Sequence, residues 1–565
     1  MSTKNELNFS FSDLIAGYIR KVDYTEKFDT QAEVELETSD GRFYTVRITY
    51  AAYAELVRNL GEAFQVAPDL KNILTLNRFI HVYGLFYPEK SGLKFEAKHI
   101  LLFGRNNNDL RIEEQSWWIN QIQQLLNYYL ESQFQVNEGE EIDFKKFRTD
   151  LSSEGKKQDG VQNLDTVSRL VYGFATAYML TGDERALEAS VKGTKYMQDH
   201  FRHRNSSEGI CYWYSQIDIQ DDGSVRKYMG STAGGDEGGN AIPCYEQIYA
   251  LAGPTQTFRL TGSKNILGDI ENTITFLNRY YKDHSEKGGY YSHVDPVTFD
   301  AKSDSLGSNK ARKNWNSVGD HAPAYLINLY LATGDKDYAD FLEYTFDTIC
   351  EYFPDYGYSP FMNEKFNDDW SHDLTWGIHQ ARCVVGHNLK VAWNLTRMQS
   401  LKPKESYKDF AHQIANIIPS YGCDNQRGGW YDMMERTRKE GEEFNRLVWH
   451  DRKAWWQQEQ GILAYYIMAG VYNDKEEYLR YAREGSAFYN GWMLDYEDGG
   501  IYFNVLANGQ PYALGTERGK GSHSMAGYHS FELCFLSAVY TNLLINKRPM
   551  DFYFKPDPGA WKDNI

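Results

Sequence analysis

The sequence contains few cysteines and no closely spaced pair of them. Its six cysteines are scattered singly along the chain, at Cys211, Cys244, Cys350, Cys383, Cys423 and Cys534. No C-x-x-C motif is present, which argues against a cysteine-based zinc or redox centre. This distribution is typical of reduced cysteines in the core of a cytosolic protein.

The chain also lacks long apolar segments and a surplus of positive charge. The most apolar run, Phe531 to Ile545, is interrupted by Glu532, Thr541 and Asn542, which argues against a membrane span. The start, MSTKNELNFSFSDL, has neither the basic nor the apolar region of a signal peptide. A formal net charge of -18 disfavours nucleic acid and anionic membranes as partners. We therefore expect a cytoplasmic protein without a membrane span.

Length and aromatic content, by contrast, are ample. A chain of 565 residues suits one large core with an accessory module. The 43 tyrosines and 13 tryptophans exceed what a pocket needs, so most of them are expected to pack in the core. The remainder are available to line a pocket, where stacking on sugar rings is one use for them.

The first hundred residues differ in pattern from the rest. We predict strands at residues 14–22, 32–37, 43–48, 79–87 and 93–103, with a helix at 51–64. Three strands, one helix and two strands is the order of an OB-fold barrel. We assign residues 1–104 to this β domain and expect it to have a structural or assembly role, with carbohydrate binding as the alternative. Residues 105–160 are predicted to be a connecting segment around a helix at Glu114 to Ser132.

From about residue 160 the chain repeats itself. Turns that combine glycine with aromatic residues recur at Gly209, Gly288, Gly357, Gly428 and Gly499, so the intervals are 79, 69, 71 and 71 residues. Two amphipathic helical patterns lie between successive turns, which indicates stacked helical hairpins. Six such hairpins would close into a mainly α (α/α)6 toroid over residues 161–548, followed by a C-terminal tail at 549–565. An open solenoid is the alternative.

Polar side chains interrupt the apolar pattern near the start of several predicted inner helices. They are Arg169, His321, His387, the Trp455-Trp456 pair, His523 and His529. A buried arginine within an apolar helix requires an anionic or polar partner. One polar group at the start of each inner helix would bring these side chains together at one central cavity.

Four of these segments resemble the N-acylglucosamine 2-epimerase superfamily, which includes cellobiose 2-epimerase and the mannose isomerases. The segments are DTVSRLVYGFATAYMLTGD, GHNLKVAWNL, KAWWQQEQGILAYY and AGYHSFELC, and their order and spacing match from Val161 to about Ile545. The resemblance implies a cofactor-independent, metal-independent reaction on a reducing mono- or disaccharide. Such an enzyme removes the proton next to the sugar carbonyl and returns it to the opposite face or to the neighbouring carbon.

The resemblance also implies roles for individual residues. His387 and His529 would be the acid-base pair, since histidine titrates near neutral pH. Arg169 would stabilise the enediolate oxygen. The remaining candidates for substrate binding are His321, Trp393, Trp456, Lys390, Gln460 and Tyr528.

The match departs from the family pattern at three positions. Lys390 and Gln460 replace glutamates, although Glu459 is adjacent to the second position, and Glu532 replaces an arginine. Loss of an orienting carboxylate would remove control of the histidine tautomer, and a lysine would favour the neutral imidazole. These departures predict an altered substrate or reaction, or a sugar-binding relative without activity.

Three rival interpretations remain open. A glycoside hydrolase on the same toroid would use paired carboxylates, for which the candidates are Asp236-Glu237, Asp368-Asp369, Asp373 and Asp451. His379, Cys383 and His387 have helical spacing that permits a metal site. The third interpretation is a noncatalytic carbohydrate-binding or assembly protein, and we expect the barrel to mediate any homo-oligomer.

Overall fold

The computed structural model describes residues 9–25, 31–67, 70–158, 160–220, 223–230, 241–376, 381–472, 476–515 and 517–560. These residues form a small β-barrel followed by a ring of helices. Among the helices of these ranges, no helix combines the length and apolar character that crossing a bilayer requires. All six cysteines are free thiols.

The barrel is built from six strands. They are β1 (Phe11–Tyr24), β2 (Ala32–Glu37), β3 (Phe43–Ile48), β4 (Tyr53–Leu56), β5 (Phe79–Glu89) and β6 (Gly92–Leu102). Strand β1 pairs with β2 and β5, β2 pairs with β3, and β5 pairs with β6. A parallel pairing of β3 with β6 closes five of the strands into a barrel. This closure fits the small β domain that the sequence predicts.

The predicted helix at residues 51–64 is wrong. Residues Tyr53–Leu56 form β4 instead, paired in parallel with the end of β6, and a loop follows. In that loop the side chain of Asn59 accepts a hydrogen bond from the Leu60 amide, and Gly61 adopts a φ of 77° that interrupts a helix. A short helix, α1 (Leu70–Ile73), lies between β4 and β5.

The ring is built from fourteen further α-helices within the described ranges. They are α2 (Trp117–Phe134), α3 (Leu164–Thr181), α4 (Glu184–His200), α5 (Cys244–Tyr249), α6 (Ala252–Thr261), α7 (Lys264–Phe276), α8 (Trp315–Val318), α9 (Ile327–Thr333), α10 (Lys336–Tyr352), α11 (Val385–Leu401), α12 (Glu405–Tyr421), α13 (Trp455–Val471), α14 (Glu476–Trp492) and α15 (Tyr528–Val539). Wider π-helical turns follow α7 (Leu277–Tyr281), precede α9 (Ala322–Leu326) and follow α15 (Tyr540–Ile545).

Burial separates inner from outer helices. Every residue of α3 from Leu164 to Leu180 is buried, and α11, α13 and α15 are nearly as enclosed. Helices α4, α7, α10, α12 and α14 bury one face only, as amphipathic outer helices do. Helix α15 packs against both α3 and α2, which closes the ring. Helix α2, which the sequence placed in a connecting segment, is thus the outer partner of α15.

Short paired strands lead into the inner helices at one end of the ring. Strand Ile242–Pro243 pairs with His293–Val294, Arg312–Asn314 with Lys365–Asn367, Arg382–Val384 with Met433–Glu435, and Lys453–Ala454 with Asn504–Val505. Strand Val161–Asn163 pairs with Gln216–Ile219 in the same way. These strands lead into α3, α5, α8, α11 and α13.

Three buried lysine-aspartate pairs fix the glycine-containing turns at this end. Lys453 Nζ lies 3.0 Å from Asp424 Oδ2 and also donates to the carbonyl oxygen of Gly428 at 2.6 Å. The same arrangement occurs twice more: Nζ of Lys313 lies 2.7 Å from Oδ2 of Asp283, and Nζ of Lys520 lies 2.6 Å from Oδ2 of Asp495. The lysines are at most 1% exposed, and their charges are balanced by an acid and by carbonyl oxygens. The sequence repeats reveal the glycines of these turns but not the lysines.

The barrel contacts the outside of the ring. Arg427 binds the carboxylate of Asp13 through two nitrogens, with Nη2 at 2.8 Å from Oδ2. Trp492 of α14 donates its indole N–H to Nδ1 of His81 at 2.8 Å. The barrel therefore rests against α14 and the turn that follows α12.

Candidate active site

A cavity of about 350 Å³ lies at the N-terminal ends of the inner helices. Its described lining residues run from Asp165 to His529, so the barrel contributes none of them. Helix N-termini carry partial positive charge from unpaired backbone N–H groups. The cavity is thus suited to a substrate that is anionic or becomes anionic during reaction.

His387 and His529 lie on the wall of this cavity, and both contact Trp456. The ring centroids are 5.3 Å apart for His387 and Trp456 and 5.8 Å apart for His529 and Trp456. His387 and Trp456 are partly exposed to the cavity, whereas His529 is buried in its wall. The structure therefore brings together the two histidines that the sequence predicted as a pair.

Gly386 permits the close approach of α11 to α13. A Cβ atom at this position would lie 2.9 Å from the Trp456 ring and 2.9 Å from Oε1 of Gln457. The Gly386 backbone N–H also donates to the Gln457 side chain. The Gly-His pair thus positions His387 beside Trp456.

Each histidine has a carboxylate partner. Nδ1 of His387 lies 2.6 Å from Oε2 of Glu364, and Nδ1 of His529 is hydrogen-bonded to Oε2 of Glu459. The prediction that the departures from the family pattern remove an orienting carboxylate is wrong, because Glu364 and Glu459 supply one to each ring. Burial lowers the pKa of His529 well below its usual value, and the nearby Lys390 and Arg169 lower it further.

Lys390 forms a buried ion pair on the cavity wall. Its Nζ lies 3.0 Å from Oδ1 of Asp320 and donates to the Tyr249 hydroxyl at 3.2 Å. Both charged side chains are 3% exposed. Asp320 precedes the predicted candidate His321, so the acid and not the histidine faces the cavity at this point of the ring.

Arg169 lies in the same part of the cavity wall, in the first turns of α3, because both it and Lys390 contact Tyr249. Its guanidinium donates to the Ser524 carbonyl oxygen at 3.1 Å and to the Tyr245 hydroxyl. It also stacks over the Tyr249 ring at 4.2 Å, and Asp165 lies 3.7 Å from its Nε. These contacts fix a cation at the edge of the cavity.

Four other predicted residues lie behind the cavity wall. Trp393 donates its indole N–H to Oε1 of Gln460 at 2.8 Å, and both side chains are fully buried. Tyr528 donates to the Pro323 carbonyl oxygen at 3.1 Å. His321 packs against Tyr290, and burial lowers its pKa to about 3. The structure places these side chains beneath the site, not on its surface.

The sequence reasoning missed a charged group at the rim. Arg452 lies 2.7 Å from Asp432 Oδ2 and 2.5 Å from Glu517 Oε2, and it stacks over Trp449 at 3.9 Å. Trp449 is 42% exposed, which leaves an aromatic face free at the cavity entrance. The only available signal was the position of Trp449 and Arg452 directly before α13.

The described carboxylates that were proposed for a hydrolase do not line the cavity. Asp368 accepts from the Tyr291 hydroxyl at 2.7 Å, Asp373 pairs with Arg312 at 2.8 Å, and Asp369 accepts from Ser371. Asp451 is an exposed residue. Asp236-Glu237 and the proposed metal ligand His379 lie outside the described residues.

Relatives by sequence are sugar epimerases and isomerases. The chain is 20% identical over 381 residues to a D-mannose isomerase from Marinomonas mediterranea, which covers 66% of this chain and 86% of the relative. It is 21% identical over 350 residues to a cellobiose 2-epimerase from Ruminococcus albus, with 60% and 78% covered.

Solved structures establish the fold of the ring. A D-mannose isomerase matches with a TM-score of 0.61 and 16% identity, over 76% of this chain and 99% of that chain. The cellobiose 2-epimerase from Spirochaeta thermophila matches with a TM-score of 0.60 and 16% identity, over 76% and 96%. A family 76 glycoside hydrolase from a Bacteroides thetaiotaomicron strain gives 0.50 at 12% identity, over 93% and 99%.

The family model for N-acylglucosamine 2-epimerase (GlcNAc 2-epimerase) matches residues 298–527. This range contains His387, Lys390 and Trp456, and it ends two residues before His529. Residues 298–527, which are part of the ring, therefore match the N-acylglucosamine 2-epimerase family model.

Proposed function

We propose that the protein is a cofactor-independent carbohydrate isomerase. It acts as a 2-epimerase or an aldose-ketose isomerase on a reducing mono- or disaccharide. The observation that carries this proposal is the pair of carboxylate-bound histidines that contact Trp456 in one cavity. The match of residues 298–527 to the epimerase family and the named relatives support it.

The two histidines are suited to move one proton between the faces of a sugar carbon. A carboxylate at Nδ1 favours the Nδ1–H tautomer and leaves Nε2 as the free base. The lowered pKa of His529 keeps this ring neutral at physiological pH, as a base must be. One histidine takes the C2 proton, an enediolate forms, and a protonated histidine returns a proton to C2 or C1.

Fixed positive charge stabilises the enediolate. Arg169 and Lys390 lie in the cavity wall, and the N-termini of the inner helices point into the same space. Charge that develops only in the transition state is stabilised strongly by donors that are already in place. These groups can therefore support proton removal without a metal ion.

Substrate recognition involves residues on the cavity surface and residues that support them from behind. Trp456, and Trp449 at the rim, offer aromatic faces to sugar rings. Trp393, Gln460 and Tyr528 support the wall from behind, and His321 packs under Asp320. A volume of about 350 Å³ is at the small end for ligand pockets and suits a mono- or disaccharide.

For the barrel we propose an OB-type fold with a structural or assembly role. It lies against the outer surface of the ring, and none of its described residues lines the cavity. Removal of residues 1–110 should convert any homo-oligomer to monomers in multi-angle light scattering. An unchanged mass would contradict the assembly role.

The decisive experiment follows the C2 proton by NMR in heavy water with a panel of reducing mono- and disaccharides. The wild type should exchange the C2 proton of at least one sugar. His387→Ala and His529→Ala should each slow this exchange by about 10²- to 10⁴-fold, the usual contribution of a general acid or base. His203→Ala, an exposed histidine on the outer strand 202–205, is the matched control.

Three outcomes separate the alternatives. Exchange that survives both active-site substitutions contradicts the acid-base assignment. Release of new reducing ends without exchange would indicate a hydrolase. Ligand-induced stabilisation without either reaction would indicate a carbohydrate-binding protein.

A further inference from the structure

The three departures from the family pattern meet in one buried layer beneath His529. Gln460 donates its amide N–H to Oε2 of Glu459 at 2.9 Å, and the same oxygen is bound to His529. Lys390 and Glu532 complete the layer, and Lys390 acts on the pKa of both glutamates. The altered residues therefore form one rearranged cluster and are not independent losses.

Two carboxyl groups in this layer face each other. One ring nitrogen of His529 and one carboxylate oxygen each of Glu459 and Glu532 all lie within 4.8 Å of one another. Oε1 of Glu459 and Oε2 of Glu532 are buried and have no hydrogen-bond donor among the described residues. Two ionised carboxylates in this position would repel each other, whereas one proton between them would give both oxygens a partner.

The electrostatic environment agrees with a single proton on the pair. Burial raises the pKa of Glu459 well above its usual value, and the neighbouring Glu532 raises it further. Burial also raises the pKa of Glu532, and Lys390 opposes this effect. Interacting acids of this kind titrate together, so the proton belongs to the pair and not to one residue.

Glu532 also borders a second cavity on the far side of this layer. That cavity has a volume of about 350 Å³ and lies at the C-terminal ends of the inner helices. Tyr172 lines it and donates its hydroxyl to Oε1 of Glu532 at 2.9 Å. Leu331 in its wall is 48% exposed, so the cavity opens to solvent away from the sugar site.

We propose that Glu459 and Glu532 share one proton and exchange protons between His529 and water in the second cavity. The claim that the two glutamates share a proton depends only on the geometry of this cluster. The claim that the proton is used in catalysis rests on the proposed isomerase function. Glu459 is a positioning residue for His529, and Glu532 is the outer member of the relay. Neither is assigned a contact with the sugar.

The transfer balances without any other reactant. The C2–H bond breaks as Nε2–H forms on His529, and the electron pair remains on the enediolate. Nδ1–H of the imidazolium then breaks as an O–H bond forms on Glu459, and the O–H of Glu532 breaks as a water molecule in the second cavity takes the proton. The reverse sequence returns a solvent proton to His529.

Infrared spectroscopy of the resting protein tests the shared proton without any sugar. We expect the C=O stretch of a protonated carboxylic acid at neutral pH, shifted in heavy water. Glu532→Gln should remove this band, because an amide N–H replaces the shared proton and leaves Glu459 ionised. Glu484→Gln, at a buried glutamate paired with Arg480, is the control that should keep it.

The infrared result can overturn the proposal in two ways. No protonated-acid band in the wild type would refute it even if the variant fails to fold. A band that is unchanged in Glu532→Gln would assign the proton to another acid. A bound metal ion is the alternative occupant of the space between the two carboxylates. Metal analysis of the purified protein tests it: a stoichiometric metal that is lost in Glu532→Gln would refute the shared proton.

Label partition in heavy water tests the relay during turnover. In Glu532→Gln, the amount of solvent deuterium incorporated into the product per turnover should fall by about tenfold or more, because His529 can no longer exchange its proton with solvent through Glu532. KM should change little, and Glu484→Gln should behave like the wild type. Unchanged labelling in Glu532→Gln refutes the relay. If the wild type exchanges no sugar proton, the isomerase proposal fails, while the infrared result still decides the shared proton.

Discussion

The barrel and the ring bury different kinds of side chain. Among the described residues, the hydrophobic core of the barrel contains sixteen, of which Phe95 is aromatic and the rest are aliphatic. The interior of the ring encloses ionised and hydrogen-bonded groups such as Lys390, Lys453 and Glu459. Two buried polar groups of the barrel, Asp13 and His81, lie at its contact with the ring, whereas Glu55 and Arg78 are bonded within the barrel. The buried charges of the ring thus lie at its cavity and its turns.

The largest expected loss of stability comes from a buried charge in the ring. Lys520→Met leaves Asp495 buried beside the Gly499 turn without the cation that pairs with it. This should lower the free energy of unfolding by about 4 kcal/mol in urea denaturation. Lys195→Met, at an exposed pair with Asp199 on α4, should cause no measurable loss. An equal loss of stability in the two variants would contradict the claim that the cost arises because the acid is buried.

An apolar truncation in the barrel should cost somewhat less and leave the ring intact. Ile15 is fully buried in the barrel core, and Ile15→Ala should lower stability by about 3 kcal/mol through lost contacts and a cavity. The C2-exchange rate of the folded variant should match the wild type, because the active-site cavity has no barrel residue among its described lining. A loss of exchange at full folding would show that the barrel shapes the site.

A substitution at the junction should have an intermediate effect. Arg427→Gln removes both contacts to Asp13, which is 6% exposed and would remain without its cation. We expect a loss of about 2 kcal/mol, measured by thermal unfolding. Arg20→Gln, at an exposed pair with Glu37 within the barrel, is the control and should be neutral. Neutral behaviour at both positions would mean that the junction pair contributes nothing.

The smallest expected effect is a pH dependence at the same junction. Burial lowers the pKa of His81 to about 3, whereas an unfolded histidine titrates near 6.5. Between these values the unfolded state binds the extra proton, so stability falls as the pH falls below 6.5. His81 should contribute about 1 kcal/mol of loss between pH 7 and pH 5.5.

His81→Asn provides the matched variant for this measurement. Its side-chain oxygen can still accept the Trp492 indole N–H, but it does not titrate. The difference in unfolding free energy between the two proteins should narrow as the pH falls. A constant difference would assign the acid sensitivity to other groups.

Sequence patterns predicted the ring better than they predicted the site. The glycine turns and helical hairpins indicated a closed toroid, and His387 and His529 lie together as predicted. The partners Glu364 and Glu459 were not predictable, because a helix turns by about 100° per residue and the facing chain is not visible from spacing. The same rotation places Asp320 in the cavity where His321 was expected.

The error in the barrel has a different physical origin. Residues 51–64 contain helix-favouring side chains, but Tyr53–Leu56 gain strand pairing with the end of β6, which is remote in sequence. Tertiary pairing of this kind outweighs local preference over short segments. Helix α2 was found near its predicted position, yet its place in the ring depends on α15, more than 390 residues later.

The lysine-aspartate pairs also impose an order on assembly of the chain. Each aspartate follows the outer helix of one hairpin, and its lysine precedes the inner helix of the next. A growing chain that ends before Lys313 therefore leaves the Asp283 turn open, since its acid cannot be buried without a counter-ion. Each hairpin that carries such a pair is completed by the next one, and these repeats gain cooperativity that apolar stacking alone would not supply.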